Sequence, residues 1–209
     1  MYRQFKIASI VFLWLLHVSA MIGIQMGYKN FFLPLTAYNL AYIAFILICL
    51  YPINEKKGII LFSAIAIAGY LFEVAGVATG KIFGEYAYGI NLGPKLFDVP
   101  PIIGINWAVL CFVSCGIIEK IYLKSIIFKA ALASFLMIFM DFFIEYSAPG
   151  FNFWEFTNPT VPLQNYVSWF IIAFCFNLAI FKYKAEKDFE ISAHIYGVQL
   201  LFFAFFYVV

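Results

Sequence analysis

The sequence predicts an all-α fold, a bundle of about seven transmembrane helices, and three observations support this prediction. First, 65% of the 209 residues are hydrophobic and 11% are charged, whereas about 25% of the residues of a soluble domain are charged. Second, the apolar residues fall in runs close to the roughly 20 residues that a helix needs to cross a bilayer. Third, the runs lack the apolar–polar alternation of a membrane β-barrel, which leaves helices as the way to satisfy the backbone in hydrocarbon.

The predicted helices follow one another closely along the chain. They cover residues 5–25, 31–52, 58–80, 101–118, 124–146, 165–183 and 190–208. The first run has a basic start and the small residues Val18-Ser19-Ala20, which weakly resemble a signal-peptide cleavage site, but it continues past that point as a full span. We therefore expect a retained first helix. We also expect one membrane domain over residues 1–209, because nearly every residue lies in or beside an apolar run.

Basic residues predict the orientation, because Lys and Arg accumulate on the cytoplasmic side of membrane proteins. One side of the predicted bundle carries Arg3, Lys6, Lys56, Lys57, Lys120, Lys124, Lys182, Lys184 and Lys187. The other side carries Lys29, Lys81 and Lys95. We expect the protein in the cytoplasmic membrane, with a cytoplasmic N-terminus and an external C-terminus. The two long connections, at about 80–100 and 147–164, then lie on the outer face, and long loops often carry function.

Composition and missing motifs exclude several classes of function. A net charge of +2, without a run of Lys or Arg, argues against nucleic acid as a partner. The four cysteines lie in apolar segments and form no CxxC pair, which is typical of buried packing and not of a zinc site. Two histidines cannot supply the ligands of a membrane iron oxygenase. Dinucleotide-binding, P-loop and nucleophile-elbow motifs are missing as well, so we expect no cofactor.

Three acidic residues lie inside predicted membrane helices, where ionisable side chains are costly and usually functional. Glu73 lies about two turns before the end of the third run, and Asp141 and Glu145 occupy the last turns of the fifth. Both runs cross the membrane in the same direction, so the three acids share one level. The alternative is structural, because buried acids also pair with amides and hold helices together. His17 and His194 have no partners nearby in sequence and are expected to be structural.

Other polar and aromatic residues are predicted at the same level. Gly69, Gly76 and Gly80 share a helix face with Glu73, which allows another helix or a flat ligand to approach the backbone. The two long loops and the first turns of the fourth and sixth runs contribute Tyr86, Tyr88, Asn106, Trp107, Trp154, Asn165 and Trp169. Together these residues predict a polar pocket in the outer half of the bundle, roofed by the aromatic loops.

Two blocks of sequence, which together span about half the chain, carry a family resemblance. The first block reads Glu73-Val-Ala-Gly76-Val-Ala-Thr79-Gly80-Lys-Ile-Phe83-Gly84-Glu-Tyr86-Ala-Tyr88, then Leu92-Gly93-Pro94-Lys-Leu96, Val99-Pro100 and Trp107. The second contains Asp141, Glu145 and Trp154, then Val161-Pro162-Leu-Gln-Asn165-Tyr-Val-Ser-Trp169. In order and spacing these blocks resemble the membrane carotenoid-biosynthesis family of carotenoid 1,2-hydratases.

The resemblance implies a hydro-lyase, in the carbon–oxygen lyase class, that adds water across the terminal C1–C2 double bond of a linear carotenoid end group and gives a tertiary alcohol. Protonation of the alkene requires a neutral acid, a shielded tertiary cation and a held water. Asp141 and Glu145 are predicted to be the proton donor and the water-activating base, in either order, and Glu73 a third catalytic group. The predicted substrate-binding residues are Tyr86, Tyr88, Asn106, Trp107, Trp154, Asn165 and Trp169. The carotenoid would arrive from the lipid bilayer.

Other interpretations stay open. A carotenoid end-group cyclase begins with the same cation, so the sequence does not separate water capture from ring closure. A carotenoid-binding or transport protein is a further alternative, although transport needs a polar path through the inner half of the bundle as well. A metal ion held by the three acids is disfavoured, because an uncharged hydrocarbon gives the ion nothing to neutralise.

Overall fold

The computed structural model describes residues 2–50, 56–183 and 188–209. Its helices are α1 (Tyr2–Gln25), α2 (Lys29–Phe32), α3 (Thr36–Leu50), α4 (Lys56–Thr79), α5 (Ile102–Ile118), α6 (Ile126–Ser147), α7 (Leu163–Lys182) and α8 (Phe189–Val208). These helices begin and end within a few residues of the predicted runs. The predicted end of the second run, at residue 52, and the basic residues Lys184 and Lys187 lie outside the described residues.

The second predicted helix is interrupted near its start. A turn of 3-10 helix, Leu33–Leu35, joins α2 to α3. Pro34 lies in the first turn of this segment, where its missing N–H and fixed φ are tolerated. The three pieces together still make one stretch, Lys29–Leu50, that is long and apolar enough to cross a membrane.

Six stretches of the described residues are long and apolar enough to cross a membrane, and α5, with 17 residues, is shorter. A helix of that length extends about 26 Å, slightly less than the ~30 Å hydrocarbon core. Helix α5 is nevertheless the most enclosed of the described helices, and it packs against α3, α4, α6, α7 and α8. Because protein surrounds it, its length does not have to match the bilayer. The predicted all-α membrane bundle is confirmed.

Two short strands in the long connections were not predicted. Strands β1 (Tyr86–Tyr88) and β2 (Trp154–Phe156) pair antiparallel, with Tyr86 opposite Phe156 and Tyr88 opposite Trp154. The backbone N–H of Gly89 continues the pairing by donating to the carbonyl of Phe153 (2.8 Å). Side chains alternate across a strand, so the four aromatic side chains of the pair share one face. This two-stranded sheet joins the loops into a single roof.

The roof lies over one end of the bundle, which we term the sheet end. Helices α4 and α6 finish there, and α5 and α7 begin there, since they flank the connections that contain β1 and β2. The loop before β2 also reaches α8, where Phe151 packs against Phe206 with ring centroids 5.0 Å apart. At the opposite end, Lys6 pairs with Asp188 (2.8 Å) and ties α1 to the start of α8. The predicted acids on α4 and α6 therefore approach each other beneath the roof.

Candidate active site

The three predicted membrane acids lie together beneath the roof. Glu73 on α4 is 2% exposed, and Asp141 and Glu145 on α6 are 2% and 5% exposed. Asp141 and Glu145 are four residues apart and therefore share a helix face. All three side chains line one cavity between α4, α5, α6, α7 and the two strands. The sequence predicted that these three acids lie at the same depth in the bundle, and their position around one cavity agrees with that prediction.

Glu73 is held by donors from two segments. The hydroxyl groups of Tyr86 and Tyr88 donate to its Oε2 at 2.6 and 2.8 Å. The indole N–H of Trp107 donates to its Oε1 at 2.8 Å. Both carboxyl oxygens are therefore occupied, and β1 is fastened to α4 and α5 through this one side chain. Hydrogen bonds from neutral donors to a carboxylate stabilise its charged form.

The two tyrosines of β1 act here as donors. Burial and the adjacent Glu73 carboxyl raise the pKa of Tyr86 and of Tyr88 well above the ordinary value for a phenol. Both hydroxyl groups therefore keep their protons near neutral pH. Tyr86 and Tyr88 were predicted to contact substrate; the structure places them on the cavity wall with their hydroxyl groups directed at Glu73.

Glu145 and Asp141 are bridged by one amide. Asn165 Nδ2 donates to Glu145 Oε1 at 3.0 Å and, more weakly, to Asp141 Oδ2 at 3.3 Å. The indole N–H of Trp154 donates to Glu145 Oε2 at 2.8 Å. Within the described residues no group donates to Asp141 Oδ1. The two neighbouring carboxyl groups are thus unequal, because Glu145 has a donor on each oxygen and Asp141 has one free oxygen.

Indole rings form one side of the site. Trp107 and Trp169 are stacked, with ring centroids 3.9 Å apart and planes 20° apart. Trp169 lines the cavity, whereas Trp107 lies behind it and is fully buried. The glycine face of α4 makes this arrangement possible, because a Cβ on Gly69 would lie 2.7 Å from the Trp107 side chain. A Cβ on Gly76 would likewise lie 2.6 Å from the ring of Phe83. The two glycines therefore leave space for aromatic side chains: Trp107 of α5 packs at Gly69, and Phe83 packs at Gly76.

The cavity itself is small, about 30 Å³. A space of that size holds about one water molecule and requires polar partners to do so. Its lining comprises Glu73, Phe83, Tyr86, Tyr88, Ile103, Asn106, Asp141, Ile144, Glu145, Trp154, Phe156, Asn165 and Trp169. The lining therefore combines three carboxyl groups with aromatic, aliphatic and amide side chains.

The structure brings together the residues predicted from sequence, with one difference in placement. Nine of the ten predicted site residues line the cavity within the described structure, and Trp107 supports it from behind. Sequence reasoning did not single out Phe83, Ile103, Ile144 or Phe156. Phe156 follows Trp154 by two residues, but the alternating segment is too short to identify a strand from sequence. Among the described residues, no three metal-ligating side chains lie close enough to hold a metal ion.

Comparison with known proteins identifies the family. The family model described as "Carotenoid biosynthesis protein" matches residues 35–209, which include all the acids and aromatics of the cavity. This chain belongs to that family. Its membership confirms the resemblance stated above and places this multi-pass membrane protein in carotenoid biosynthesis.

One curated relative of this chain is named for its activity. The bisanhydrobacterioruberin hydratase of Haloarcula japonica is 27% identical to this chain over 134 residues, which are 58% of this chain and 44% of the relative. The chain thus matches less than half of that relative's length. No solved structure matches this chain. The relative therefore supports a hydratase type of family member.

Proposed function

We propose that this protein is a carotenoid hydratase that adds water across the C1–C2 double bond of a linear carotenoid end group. The observation that carries the proposal is the pair of unequal carboxyl groups, Asp141 and Glu145, in a cavity of about 30 Å³ with aromatic walls. The name of the Haloarcula japonica relative supports a hydratase. The hydrogen bonds of Asp141 and Glu145 indicate which carboxyl group acts as the acid and which acts as the base.

Asp141 is the proposed proton donor. Its Oδ1 accepts no hydrogen bond from the described residues, so a proton on this oxygen is free to point into the cavity. Two neighbouring carboxyl groups in an apolar site do not both ionise readily. The proton they share resides better on Asp141, because donors on both oxygens of Glu145 favour its charged form. Transfer of this proton to C2 leaves a tertiary cation at C1.

Glu145 is the proposed base. Water adds its oxygen to C1 and loses a proton to Glu145, which yields the tertiary alcohol and balances the addition of one water molecule. The proton then returns from Glu145 to Asp141 across the gap that Asn165 bridges. The carboxyl group of Glu73 and the face of Trp169 are the proposed stabilisers of the cation while it exists. Asn106, which lines the cavity, is the proposed group that orients the water.

Substrate entry requires a wider cavity. The space beneath the roof is close to one water molecule in size, and a branched hydrocarbon end group is several times larger. We propose that the end group enters from the bilayer and displaces side chains of the two short strands.

The proposal extends to the setting of the protein. We propose that residues 1–209 form a single domain in the cytoplasmic membrane, with the sheet end outside and the N-terminus in the cytoplasm. The basic residues support this orientation. Linear carotenoids dissolve in the bilayer, so water is the only other reactant that the site has to admit.

The test is pigment analysis by chromatography and mass spectrometry in lycopene-accumulating cells. The wild type is compared with Asp141→Asn and Glu145→Gln, and the control is Glu155→Gln, which changes an exposed acid on β2. A gain of one water mass per modified end in the wild type and the control, reduced at least 100-fold in both site variants, supports the proposal.

Other outcomes contradict it in distinct ways. A shifted retention time at unchanged mass indicates a cyclase. Unchanged pigment in every strain, with the protein present in the membrane, indicates another substrate or a binding protein. Full activity of Asp141→Asn would exclude Asp141 as the donor, whatever the product.

A further inference from the structure

A second and larger cavity lies between α1, α3 and α8. Its volume is about 360 Å³, within the range of small-molecule sites. Apolar side chains such as Phe12, Leu40 and Phe203 form most of its wall. No charged side chain occurs among its described lining residues. The cavity is therefore suited to a neutral and mainly hydrocarbon ligand.

Unpaired amide oxygens interrupt this apolar wall. Gln199 lines the cavity and is 5% exposed, and within the described residues its Oε1 has no hydrogen-bond partner. The Oδ1 of Asn39 is also buried without a partner there. Leaving a buried acceptor unpaired costs about 1–3 kcal/mol, so such groups indicate a missing ligand or water.

The contact between His17 and Asn39 explains why Oδ1 of Asn39 has no hydrogen-bond partner in the described structure. Nδ1 of His17 lies 2.8 Å from the carbonyl oxygen of Leu13, which can only accept, so Nδ1 carries the proton. In the neutral ring Nε2 is then an acceptor, and Asn39 Nδ2 donates to it at 3.2 Å. The amide is thus oriented with Oδ1 away from the histidine. The contacts of His17 thus fix the orientation of an acceptor at this cavity.

The unpaired atoms specify the polar group of a ligand. Both are acceptors, so the ligand must donate a hydrogen bond. A carboxylate, a phosphate or an ammonium group would find no side chain of opposite charge among the described lining residues. A neutral hydroxyl group on an apolar chain satisfies both the wall and the acceptors.

We propose that this cavity is a second binding site, which takes an isoprenoid chain ending in a hydroxyl group and pairs that hydroxyl with the side-chain amide of Gln199. The proposal rests on the proposed function in one respect, since a hydroxyl-terminated isoprenoid is the chemical class of the hydration product. The site would then hold a hydrated end group after reaction.

The two cavities are adjacent along the chain. Phe153 lines the larger cavity, and the next residue, Trp154, donates to Glu145 in the acid site. The rings of these two residues have centroids 6.3 Å apart. A ligand that contacts Phe153 is therefore next to Trp154, the residue that donates a hydrogen bond to Glu145, the proposed base.

The test uses the purified full-length protein in detergent and two photoreactive probes. Each probe is a chain of three isoprene units with a diazirine at one end; one ends in a tertiary alcohol and the other in the matching hydrocarbon. Cross-linked peptides are mapped by mass spectrometry, and the probe concentration for half-maximal labelling is measured. The alcohol is expected to label α1, α3 and α8 and to bind about tenfold more tightly than the hydrocarbon, as one hydrogen bond provides.

Variants separate the hydrogen bond from the shape of the cavity. Gln199→Leu is expected to abolish the tenfold preference, whereas Ala20→Phe should block labelling by both probes because it fills the cavity. The matched control is Ser19→Ala, since Ser19 also lines the cavity but already donates to Leu16 O at 3.0 Å. Each variant is first checked for a single monodisperse peak.

The results of these binding measurements do not depend on whether the protein catalyses hydration. Equal binding of both probes, unchanged in Gln199→Leu, would overturn the proposal and identify the cavity as a groove for lipid acyl chains. Labelling confined to α4–α7 would overturn it as well and assign the probe to the acid site. If the pigment analysis shows no hydration but the alcohol still binds here through Gln199, the binding site stands and only the proposed product is wrong.

Discussion

The acid cavity and the cavity between α1, α3 and α8 share the segment Phe153–Trp154, but their walls differ. Around the acids, five of the six carboxyl oxygens accept a hydrogen bond within the described structure, and the space is about 30 Å³. Around Gln199, the space is about 360 Å³, and amide oxygens are left without partners in the described structure. A site whose polar groups are already oriented is suited to chemistry. A roomy cavity with unpaired acceptors is suited to binding a complete ligand.

Loss of the Glu73 carboxyl should produce the largest change in stability. Glu73→Leu leaves the hydroxyl groups of Tyr86 and Tyr88 and the indole N–H of Trp107 without an acceptor. Each buried unpaired donor costs about 1–3 kcal/mol, so we expect unfolding free energy to fall by about 3–5 kcal/mol. Thermal unfolding in detergent, followed by tryptophan fluorescence, measures the change.

Two further variants sharpen this measurement. Glu73→Gln retains one carbonyl oxygen and should lose roughly half as much stability. Glu155→Leu removes an exposed acid on β2 and should change stability by less than about 0.5 kcal/mol. Equal stability of Glu73→Leu and the wild type would show that the donors around the acids find other partners, and the contrast between the two cavities would fail.

Much of this arrangement follows from sequence, for a physical reason. Bilayer thickness sets the length of an apolar run, so the helices were predicted within a few residues of their ends. Helix direction alternates along the chain, and this placed Glu73 at the level of Asp141 and Glu145. The resemblance and the aromatic loops then brought in the tyrosines and tryptophans that line the cavity or support it.

Other features could not be predicted from one sequence. Strands β1 and β2 have three residues each and are far apart in the chain, so neither shows a periodic pattern long enough to detect. The large cavity was missed because its lining residues are ordinary apolar residues of α1, α3 and α8. An empty space is a property of how helices pack and leaves no mark on any one of them. Gln199 and Asn39 lie inside apolar runs, where single amides are usually paired.

Close packing of α4 on α5 provides the second prediction. A Cβ on Gly104 would collide with the carbonyl oxygen of Ala66 and lie 2.7 Å from the Cβ of Tyr70. Backbone atoms cannot move aside, so Gly104→Ala should destabilise the protein by about 2 kcal/mol. On α8, beside the roomier half of the bundle, a Cβ on Gly197 would meet nothing within 4 Å.

Gly197→Ala is therefore the matched control and should be neutral or slightly stabilising, because alanine is a better helix former than glycine. Chemical denaturation of both variants in the same detergent gives the comparison. If the two substitutions had equal effects, the tight half and the loose half of the bundle would not differ as the structure indicates.

The smallest expected effects come from the two buried amides, and they have opposite signs. Asn165 donates to both carboxyl groups of α6, so Asn165→Leu should lower stability by about 1–2 kcal/mol, because it removes the donor that Asp141 and Glu145 share. Gln199→Leu removes an unpaired acceptor from an apolar wall and should raise the stability of the ligand-free protein by up to about 1 kcal/mol.

Thermal unfolding without and with the hydroxylated probe distinguishes the cases: the probe should stabilise the wild type and Asn165→Leu more than Gln199→Leu. A loss of stability in ligand-free Gln199→Leu would mean that its amide oxygen is paired in solution, for example with a bound water, and would remove the contrast on which the second site depends.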